Sequence, residues 1–280
     1  MQDKLRFQDI LNKGKEILKQ SGIPCFDTDA WYLLEYATGM GRAEYFLKRE
    51  ETATEETITK YLKLIDTRAS HMPLQYITGS QEFMGLSFFV DEHVLIPRQD
   101  TEILVEEALR YLQDGMKVLD MCTGSGCILL SVLKLQEGLC GTGVDLSEEA
   151  LGIARKNMEN LGITAEFLQS DLFDRVRERY DCILSNPPYI CTEELDTLME
   201  EVRFYEPRMA LDGHADGLYY YRRLVEQSPD YLTPKGMLFL EIGYQQAEAV
   251  CGMMEKDYKD IHVVKDLAGL DRVVYGSLRE

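Results

Sequence analysis

The chain has 280 residues, 45% of them hydrophobic, and a formal net charge of −19. Residues 1–75 carry 11 basic and 12 acidic side chains, whereas residues 76–280 carry 19 and 37. A protein that holds a phosphate backbone needs clustered Lys and Arg, so the acidic body argues against nucleic acid as the substrate.

The first ten residues are polar, and no apolar run approaches the roughly 18 residues of a membrane span. The seven cysteines form no CxxC pair, and the chain has only four histidines. These features predict a cytoplasmic protein with reduced thiols, no membrane contact and no bound metal. We expect a monomer.

Residues 1–75 are predicted to form a small helical bundle. Ile58, Tyr61, Leu62 and Ile65 follow the i, i+3, i+4, i+7 spacing of an amphipathic helix. Residues 27–39 begin with Asp and Thr side chains suited to helix capping and end at Gly39. Each apolar stripe is typical of a packed core, although a stripe that binds a partner is the alternative.

Residues 76–97 are predicted to form a β-hairpin linker that turns at Met84-Gly85. Strands and helices alternate over residues 98–280, with strands at 116–121, 141–146, 165–170, 180–186 and 236–243. The last two strands, 261–267 and 271–278, are too close for a crossover helix and should pair as an antiparallel hairpin. The pattern predicts an α/β fold with a Rossmann-like, seven-stranded sheet.

A glycine-rich turn, "CTGSG", follows the first of these strands at residues 122–126. Ligands of such sheets bind beyond the carboxyl ends of the strands, and glycines allow the backbone to approach them. Asp145 ends the next strand and can accept hydrogen bonds from both hydroxyls of a ribose. Asp171, after the third strand, is placed to meet an adenine edge.

The turn also discriminates between cofactors. A dinucleotide fingerprint needs G-x-G-x-x-G, but from Gly124 the chain reads G-S-G-C-I-L. Asp120, just before the turn, would repel a pyrophosphate but would suit a sulfonium. The turn therefore favours S-adenosylmethionine over NAD.

The fourth strand ends in "SNPPYI", residues 185–190. Two adjacent prolines cannot continue a strand because neither has an N–H. The Asn186 side-chain oxygen and the Pro187 carbonyl could together accept both hydrogens of one NH₂ group, and Tyr189 could stack on its plane. Nucleobases and the glutamine amide both present such a group, and the corner alone does not choose between them.

The chain resembles the bacterial peptide-chain release factor glutamine methyltransferases over nearly its whole length. The resemblance is carried by "PLQYITG" (73–79), "IPRQDTE" (96–102), "VLDMCTGSGCILL" (118–130), "VDLSEEAL" (144–151), "SNPPYI" (185–190), "EVRFYEPRMALDGHADGL" (201–218) and "DLAGLDRVV" (266–274). The resemblance implies an S-adenosylmethionine-dependent methyltransferase that modifies the glutamine of the Gly-Gly-Gln motif in release factors and releases S-adenosylhomocysteine. It also implies that the helices of 1–75 dock the release factor and that residues 98–280 form the catalytic domain.

The resemblance assigns roles to individual positions. Cofactor binding is expected of Asp120, Cys122, Thr123, Gly124, Ser125, Gly126, Asp145, Leu146, Asp171, Leu172 and Asn186. Glutamine binding is expected of Asn186, Pro187, Pro188 and Tyr189, with Asn186, Pro187 and Tyr189 as the catalytic residues.

Three residues at two places in the chain depart from the family pattern. Cys122 stands where the family has the first glycine of the turn, and Gln99-Asp100 stand where it has Pro-Glu. Neither departure touches the Asn-Pro-Pro-Tyr corner.

Two other classes of protein are weighed beside this one: a DNA or RNA adenine methyltransferase that uses the same corner on a flipped base, and a non-catalytic cofactor-binding module. The acidic body argues against the first and the intact corner against the second.

Overall fold

The computed structural model describes residues 5–280, which form eleven α-helices and nine β-strands. The helices are α1 (Phe7–Gln20), α2 (Phe26–Thr38), α3 (Arg42–Lys48), α4 (Glu55–Ala69), α5 (Leu74–Thr78), α6 (Gln99–Leu109), α7 (Cys127–Leu135), α8 (Glu148–Leu161), α9 (Glu200–Tyr205), α10 (Tyr219–Gln227) and α11 (Ala247–Met254). The strands are β1 (Gln81–Phe83), β2 (Leu86–Phe88), β3 (Lys117–Met121), β4 (Cys140–Asp145), β5 (Glu166–Gln169), β6 (Tyr180–Ser185), β7 (Leu232–Glu241), β8 (Tyr258–Lys265) and β9 (Asp271–Leu278).

The chain divides into two compact units. Of the described residues, the first contains 5–79 together with Met199–Tyr205, and the second contains Ser80–Leu198 and Glu206–Glu280. The sequence placed boundaries at residues 75 and 97 and did not separate Met199–Tyr205 from its surroundings. In the structure the hairpin of β1 and β2 belongs to the second unit, and α9 belongs to the first.

The first unit is a helical bundle built around α1, α2 and α4. Its core includes Leu18, Leu33 and Ile65, each fully buried, and the Tyr61 hydroxyl donates to the Ala30 carbonyl at 3.2 Å. The helical bundle predicted from the apolar stripes is therefore confirmed. Gly39 ends α2 with a φ of +73°, as predicted.

The expected Asp or Thr cap of α2 is wrong. The helix begins at Phe26 and Cys25 precedes it, so Asp27 and Asp29 lie within its first turn. There the carboxylates favour the positive end of the helix dipole instead of capping a free N–H. The same position brings Asp29 into the interior, where Arg68 pairs with it at 2.7 Å.

Arg68 also ties α9 to the bundle. Its Nη2 atom lies 2.7 Å from the Glu201 carboxylate, and its Nη1 donates to the Met72 carbonyl at 3.0 Å. The Tyr205 hydroxyl donates to the Ser70 carbonyl at 2.6 Å. These contacts explain why a segment so late in the chain belongs to the first unit.

The second unit is built on a seven-stranded sheet in the order β5-β4-β3-β6-β7-β9-β8. Strands β3 to β7 pair in parallel, and β9 pairs antiparallel with both β7 and β8. The predicted Rossmann-like sheet with a C-terminal antiparallel hairpin is confirmed. The chain builds outward from β3 to β5 on one side and then crosses to β6, so the order reverses between β3 and β6. Ligand crevices form at such a switch point.

The turn between β1 and β2 lies at Met84-Gly85, as predicted. The two residues have φ values of +52° and +71°, which is the conformation of a two-residue hairpin turn of type I′. Helix α6, in contrast, was not predicted from the sequence. Among the residues described, no helix combines the length and apolar character needed to cross a lipid bilayer.

Candidate active site

A cavity opens at the carboxyl ends of β3, β4 and β6 in the second unit. It encloses about 960 Å³ of empty space, its open mouth included. Ten predicted site residues line it: Cys122, Thr123, Gly124, Ser125, Asp145, Leu146, Asp171, Leu172, Asn186 and Pro188. The structure therefore brings together four residues of the glycine-rich turn, Asp145, Asp171, and Asn186 and Pro188 of the Asn-Pro-Pro-Tyr corner.

Four predicted site residues, Asp120, Gly126, Pro187 and Tyr189, are not part of the cavity lining. Gly126 has a φ of +79° at the start of α7, and a Cβ there would lie 3.2 Å from the Cβ of Ala154. It serves close packing between α7 and α8. The Tyr189 ring is partly buried and packs against the hydrophobic core, and the stacking role expected of it remains a prediction.

Asp120 lies beneath the turn. It is fully buried, and its Oδ2 accepts hydrogen bonds from the Thr123 hydroxyl at 2.6 Å and from the Leu129 N–H at 3.2 Å. Burial raises the pKa of its carboxyl to about 7. The direct contact with a sulfonium that the sequence suggested is not available to this side chain, and Asp120 acts on the cavity by shaping the turn.

Asp145 is one of the two acidic residues in the cavity lining, with Asp171. Its Oδ2 accepts from the Gly124 N–H at 2.8 Å, and its Oδ1 accepts from the Ser147 N–H at 3.0 Å. Burial raises the pKa of this carboxyl, and the backbone hydrogen bonds oppose the rise. Each oxygen keeps a further lone pair, so the anchored carboxylate can still accept hydrogen bonds from a ligand.

Cys122 has a φ of +63°. This left-handed conformation is free of cost only for glycine, which explains why the family pattern has glycine here. Cys122 nevertheless lines the cavity, and burial raises the pKa of its thiol well above the usual range, so the thiol stays neutral. The departure from the family pattern costs backbone strain but adds no charge to the cavity.

Asp171 and Leu172 follow β5 and also line the cavity. The Asp171 carboxylate pairs with Arg223 at 2.8 Å, while Leu172 is buried with a φ of +46°. The adenine-edge contact expected of Asp171 remains a prediction. Its side chain already has one cationic partner on α10.

The corner is clamped by glycines from the "YEPRMALDGHADGL" segment. A Cβ at Gly213 would lie 2.8 Å from the Tyr189 backbone, and one at Gly217 would lie 2.4 Å from its carbonyl oxygen, which no side chain tolerates. The Gln246 side chain donates to the same carbonyl at 3.0 Å. The corner is therefore held rigidly by backbone that packs directly against backbone.

Two polar residues of the segment "IPRQDTE" were given no role from the sequence, yet both line the cavity. Thr101 accepts a hydrogen bond from the Asn186 amide nitrogen at 3.3 Å. Arg98 pairs with the buried Glu206 carboxylate at 2.5 Å. Both lie in the segment 96–102, which carries the family resemblance, and this was the feature of the sequence that could have indicated a role for them. Among the described residues, no group of three or more His, Cys, Asp and Glu side chains is placed to hold a metal ion.

The comparisons with known proteins agree with this geometry. Residues 9–79 match the family model described as the PrmC N-terminal domain, and residues 99–212 match that of the methyltransferase small domain. The chain is 40% identical to a release factor glutamine methyltransferase of Geobacter sulfurreducens, over 96% of this chain and 95% of that protein. It is 37% identical to one of Clostridium acetobutylicum, over 96% of this chain and 98% of that protein.

A solved structure of a T. thermophilus 16S rRNA N2 G1207 methyltransferase, in complex with AdoMet and guanosine, shares the fold. The TM-score is 0.51 at 18% identity, and the match covers 71% of this chain and 50% of the other. An identity this low shows only a shared fold. The relatives that match over nearly their full length are 37–40% identical, and they show that the chain belongs to the release factor glutamine methyltransferase family.

Proposed function

We propose that this enzyme transfers a methyl group from S-adenosylmethionine to the side-chain amide nitrogen of the glutamine in the Gly-Gly-Gln motif of peptide-chain release factors. The observation that carries the proposal is Asn186, which lies at the cavity wall beside the glycine-rich turn and Asp145. The same cavity thus offers a place for a ribose and a place for an amide. We also propose that the protein acts in the cytoplasm, where its substrate is used in translation, and as a monomer.

The residues present fit the cofactor. Asp145 is fixed by two backbone N–H groups and keeps lone pairs for the hydroxyls of a ribose. A Cβ built on Gly124 would meet no heavy atom within 4 Å, so glycine leaves open the space that a ligand needs. Cys122, Thr123, Ser125 and Leu146 would complete the site. When bound, the cofactor supplies an activated methyl group on positively charged sulfur.

The corner would prepare the glutamine amide. The Asn186 oxygen and the Pro187 carbonyl would accept hydrogen bonds from both hydrogens of the amide NH₂. These hydrogen bonds push electron density toward the nitrogen and fix the direction of its lone pair. An amide nitrogen is a poor nucleophile because its lone pair is delocalised, so positioning supplies much of the acceleration. No general base is required, since the methylated nitrogen is transiently acidic and its surplus proton can leave afterwards.

The test is incubation of the enzyme with labelled S-adenosylmethionine and, in parallel, a release factor or duplex DNA. We expect label on the release factor only. Asp145→Ala should weaken cofactor binding in calorimetry by about 1.5–3 kcal/mol, because the ribose hydroxyls lose a charged acceptor. Glu159→Ala, an exposed carboxylate on α8, is the control and should bind normally. Label on DNA but not on the release factor would contradict the proposal.

We further propose that the first unit docks the release factor body. Phe46 and Leu47, neighbours on α3, are 63% and 85% exposed, which is unusual for large apolar side chains and typical of an interaction surface. Replacing both with serine should raise KM for full-length release factor about tenfold, as expected for the loss of one interface anchor. kcat and cofactor affinity should not change.

Steady-state kinetics on the full-length release factor measures the effect. Leu267→Ser is the matched control, because Leu267 is fully exposed in the second unit between β8 and β9. If the double variant kept the wild-type KM, α3 would not be part of the docking surface.

A further inference from the structure

A buried carboxylate lies behind the corner, and the proposed reaction does not use it. Glu241 ends β7 and is only 1% exposed, and its Oε2 atom has no hydrogen-bond partner among the described residues. A buried charge that lacks partners is costly, so its presence at this position needs a reason. Arg272 is near but directs its ion pairs to Asp266 at 3.0 Å and Asp100 at 3.3 Å.

Thr101 connects this carboxyl to the corner. The side chain of Thr101 is buried on the first turn of α6, and its hydroxyl lies next to the Glu241 carboxyl, where it stabilises the charged form. The same hydroxyl oxygen accepts the Asn186 amide N–H at 3.3 Å. Glu241 on β7, Thr101 on α6 and Asn186 after β6 are therefore successive neighbours in a row of side chains that ends at the cavity.

We propose that Thr101 and Glu241 are positioning residues that fix which end of the Asn186 amide faces the substrate. The inference rests on the role proposed for Asn186 in holding the glutamine amide. An asparagine can present either its oxygen or its NH₂ group, and the two ends have nearly the same shape. Only the oxygen can accept the N–H bonds of the glutamine, so the wrong orientation would block the reaction.

The donor and acceptor roles in this row of side chains follow from the number of hydrogens that each group can donate. An ionised Glu241 can only accept, so Thr101 must donate its single hydroxyl hydrogen to it. The Thr101 oxygen can then only accept from Asn186, which directs the Asn186 nitrogen inward and its oxygen toward the cavity. A protonated Glu241 can instead donate to Thr101. Thr101 is then free to donate to the Asn186 oxygen, which would turn the NH₂ group outward.

Burial raises the pKa of Glu241 to about 7, so both states are populated near neutrality. Arg272 on β9 and Arg98 before α6 oppose the rise, and Asp100 on α6 adds to it. Three further groups face Glu241 from other elements and stay neutral in this range because burial raises their pKa values: Tyr189 after β6, Tyr221 on α10 and Cys127 on α7. Glu241 is thus the carboxyl of this cluster whose pKa burial raises to about 7.

The experiment is single-turnover methyl transfer to a release factor at saturating S-adenosylmethionine between pH 6 and 8.5. The wild-type rate should rise about tenfold as Glu241 ionises. Thr101→Val should lower the rate at pH 8 about tenfold and abolish the pH dependence, whereas Thr101→Ser should keep both. Glu241→Gln should abolish the pH dependence. Glu107→Gln, a buried carboxylate on the same helix, is the control and should keep the wild-type profile.

A second readout is independent of turnover. Calorimetric binding of the release factor in the presence of S-adenosylhomocysteine should strengthen with pH for the wild-type protein and Thr101→Ser but not for Thr101→Val. Cofactor affinity, measured for each variant at each pH, shows whether the variant is folded. It also distinguishes an effect of Asp120 ionisation beneath the turn, which would change cofactor binding, from an effect of Glu241. If Thr101→Val did not fold, the Glu241→Gln profile would decide.

A wild-type rate and pH profile in Thr101→Val, or an unchanged profile in Glu241→Gln, would overturn the inference. Asn186→Ala separates it from the proposed function. If Asn186→Ala is inactive while Thr101→Val is normal, only the positioning role fails. If Asn186→Ala keeps the wild-type rate, the role of Asn186 fails and the positioning role with it.

Discussion

Replacing Asn186 with aspartate is expected to lower kcat at least about 10²-fold, which is the order of losing a positioned electrostatic contact. Aspartate keeps the size and shape of the side chain but carries a negative charge. That charge would favour a positively charged cofactor in the ground state. Because methyl transfer neutralises the sulfur, the same charge would stabilise the transition state less than the ground state.

The structure adds a second reason for the loss. Asn186 donates to Thr101 at 3.3 Å, and an ionised aspartate has no hydrogen to donate. The single Thr101 hydroxyl hydrogen could then be donated to the introduced carboxylate or to Glu241. Glu241, which is almost fully buried, would be left without this donor for part of the time. Single-turnover transfer at saturating cofactor measures kcat, and titration with the cofactor tests whether binding is preserved.

Asn160→Asp is the matched control, because it adds the same charge at an exposed position on α8. It should leave both kcat and cofactor affinity unchanged. A wild-type kcat in Asn186→Asp would mean that Asn186 does not hold the reacting amide.

The second large effect is expected for stability. Arg68→Met should destabilise the first unit by about 3–5 kcal/mol at pH 7, because Asp29 would remain buried without a partner. Both side chains are more than nine-tenths buried and lie 2.7 Å apart. The substitution also removes the partners of Glu201 and of the Met72 carbonyl.

The loss should depend on pH. Burial already raises the pKa of Asp29, and the Arg68 hydrogen bond opposes that rise. Without Arg68 the folded-state pKa rises further above the unfolded value. A carboxyl of this kind destabilises the folded state increasingly as pH rises from the unfolded toward the folded pKa, so the variant should lose less stability in acid.

Trp31 provides a specific measurement. It is the single tryptophan of the chain and lies in the core of the first unit, so its fluorescence during urea unfolding reports on that unit. Asp29→Leu combined with Arg68→Met should recover much of the loss, because no buried charge is left unpaired. Arg6→Met, which breaks an exposed pair with Asp9, should cause a much smaller change. Equal losses in the Arg6 and Arg68 variants would contradict the expected importance of burial.

The sequence could predict the sheet and the place of the site because both depend on local patterns. Apolar runs separated by helical periodicity gave the strands, and the short break at 268–270 required the antiparallel pair of β8 and β9. Parallel strands end at one edge, so Cys122, Asp145 and Asn186 were expected to meet there, and they do line one cavity. Helix α6 was missed because its segment was noted only as part of the resemblance.

By itself, then, the sequence determined the α/β fold, the glycine-rich turn, the Asn-Pro-Pro-Tyr corner and the family. Only the tertiary structure decided which of the acidic residues near the strand ends line the cavity, since Asp145 and Asp171 do so whereas Asp120 is fully buried beneath the turn. It also decided that α9 joins the first unit through Arg68 and that Thr101 reaches both Asn186 and Glu241. These pairings connect residues 85 to 140 positions apart, and local periodicity carries no information about side chains that meet only after the chain has folded.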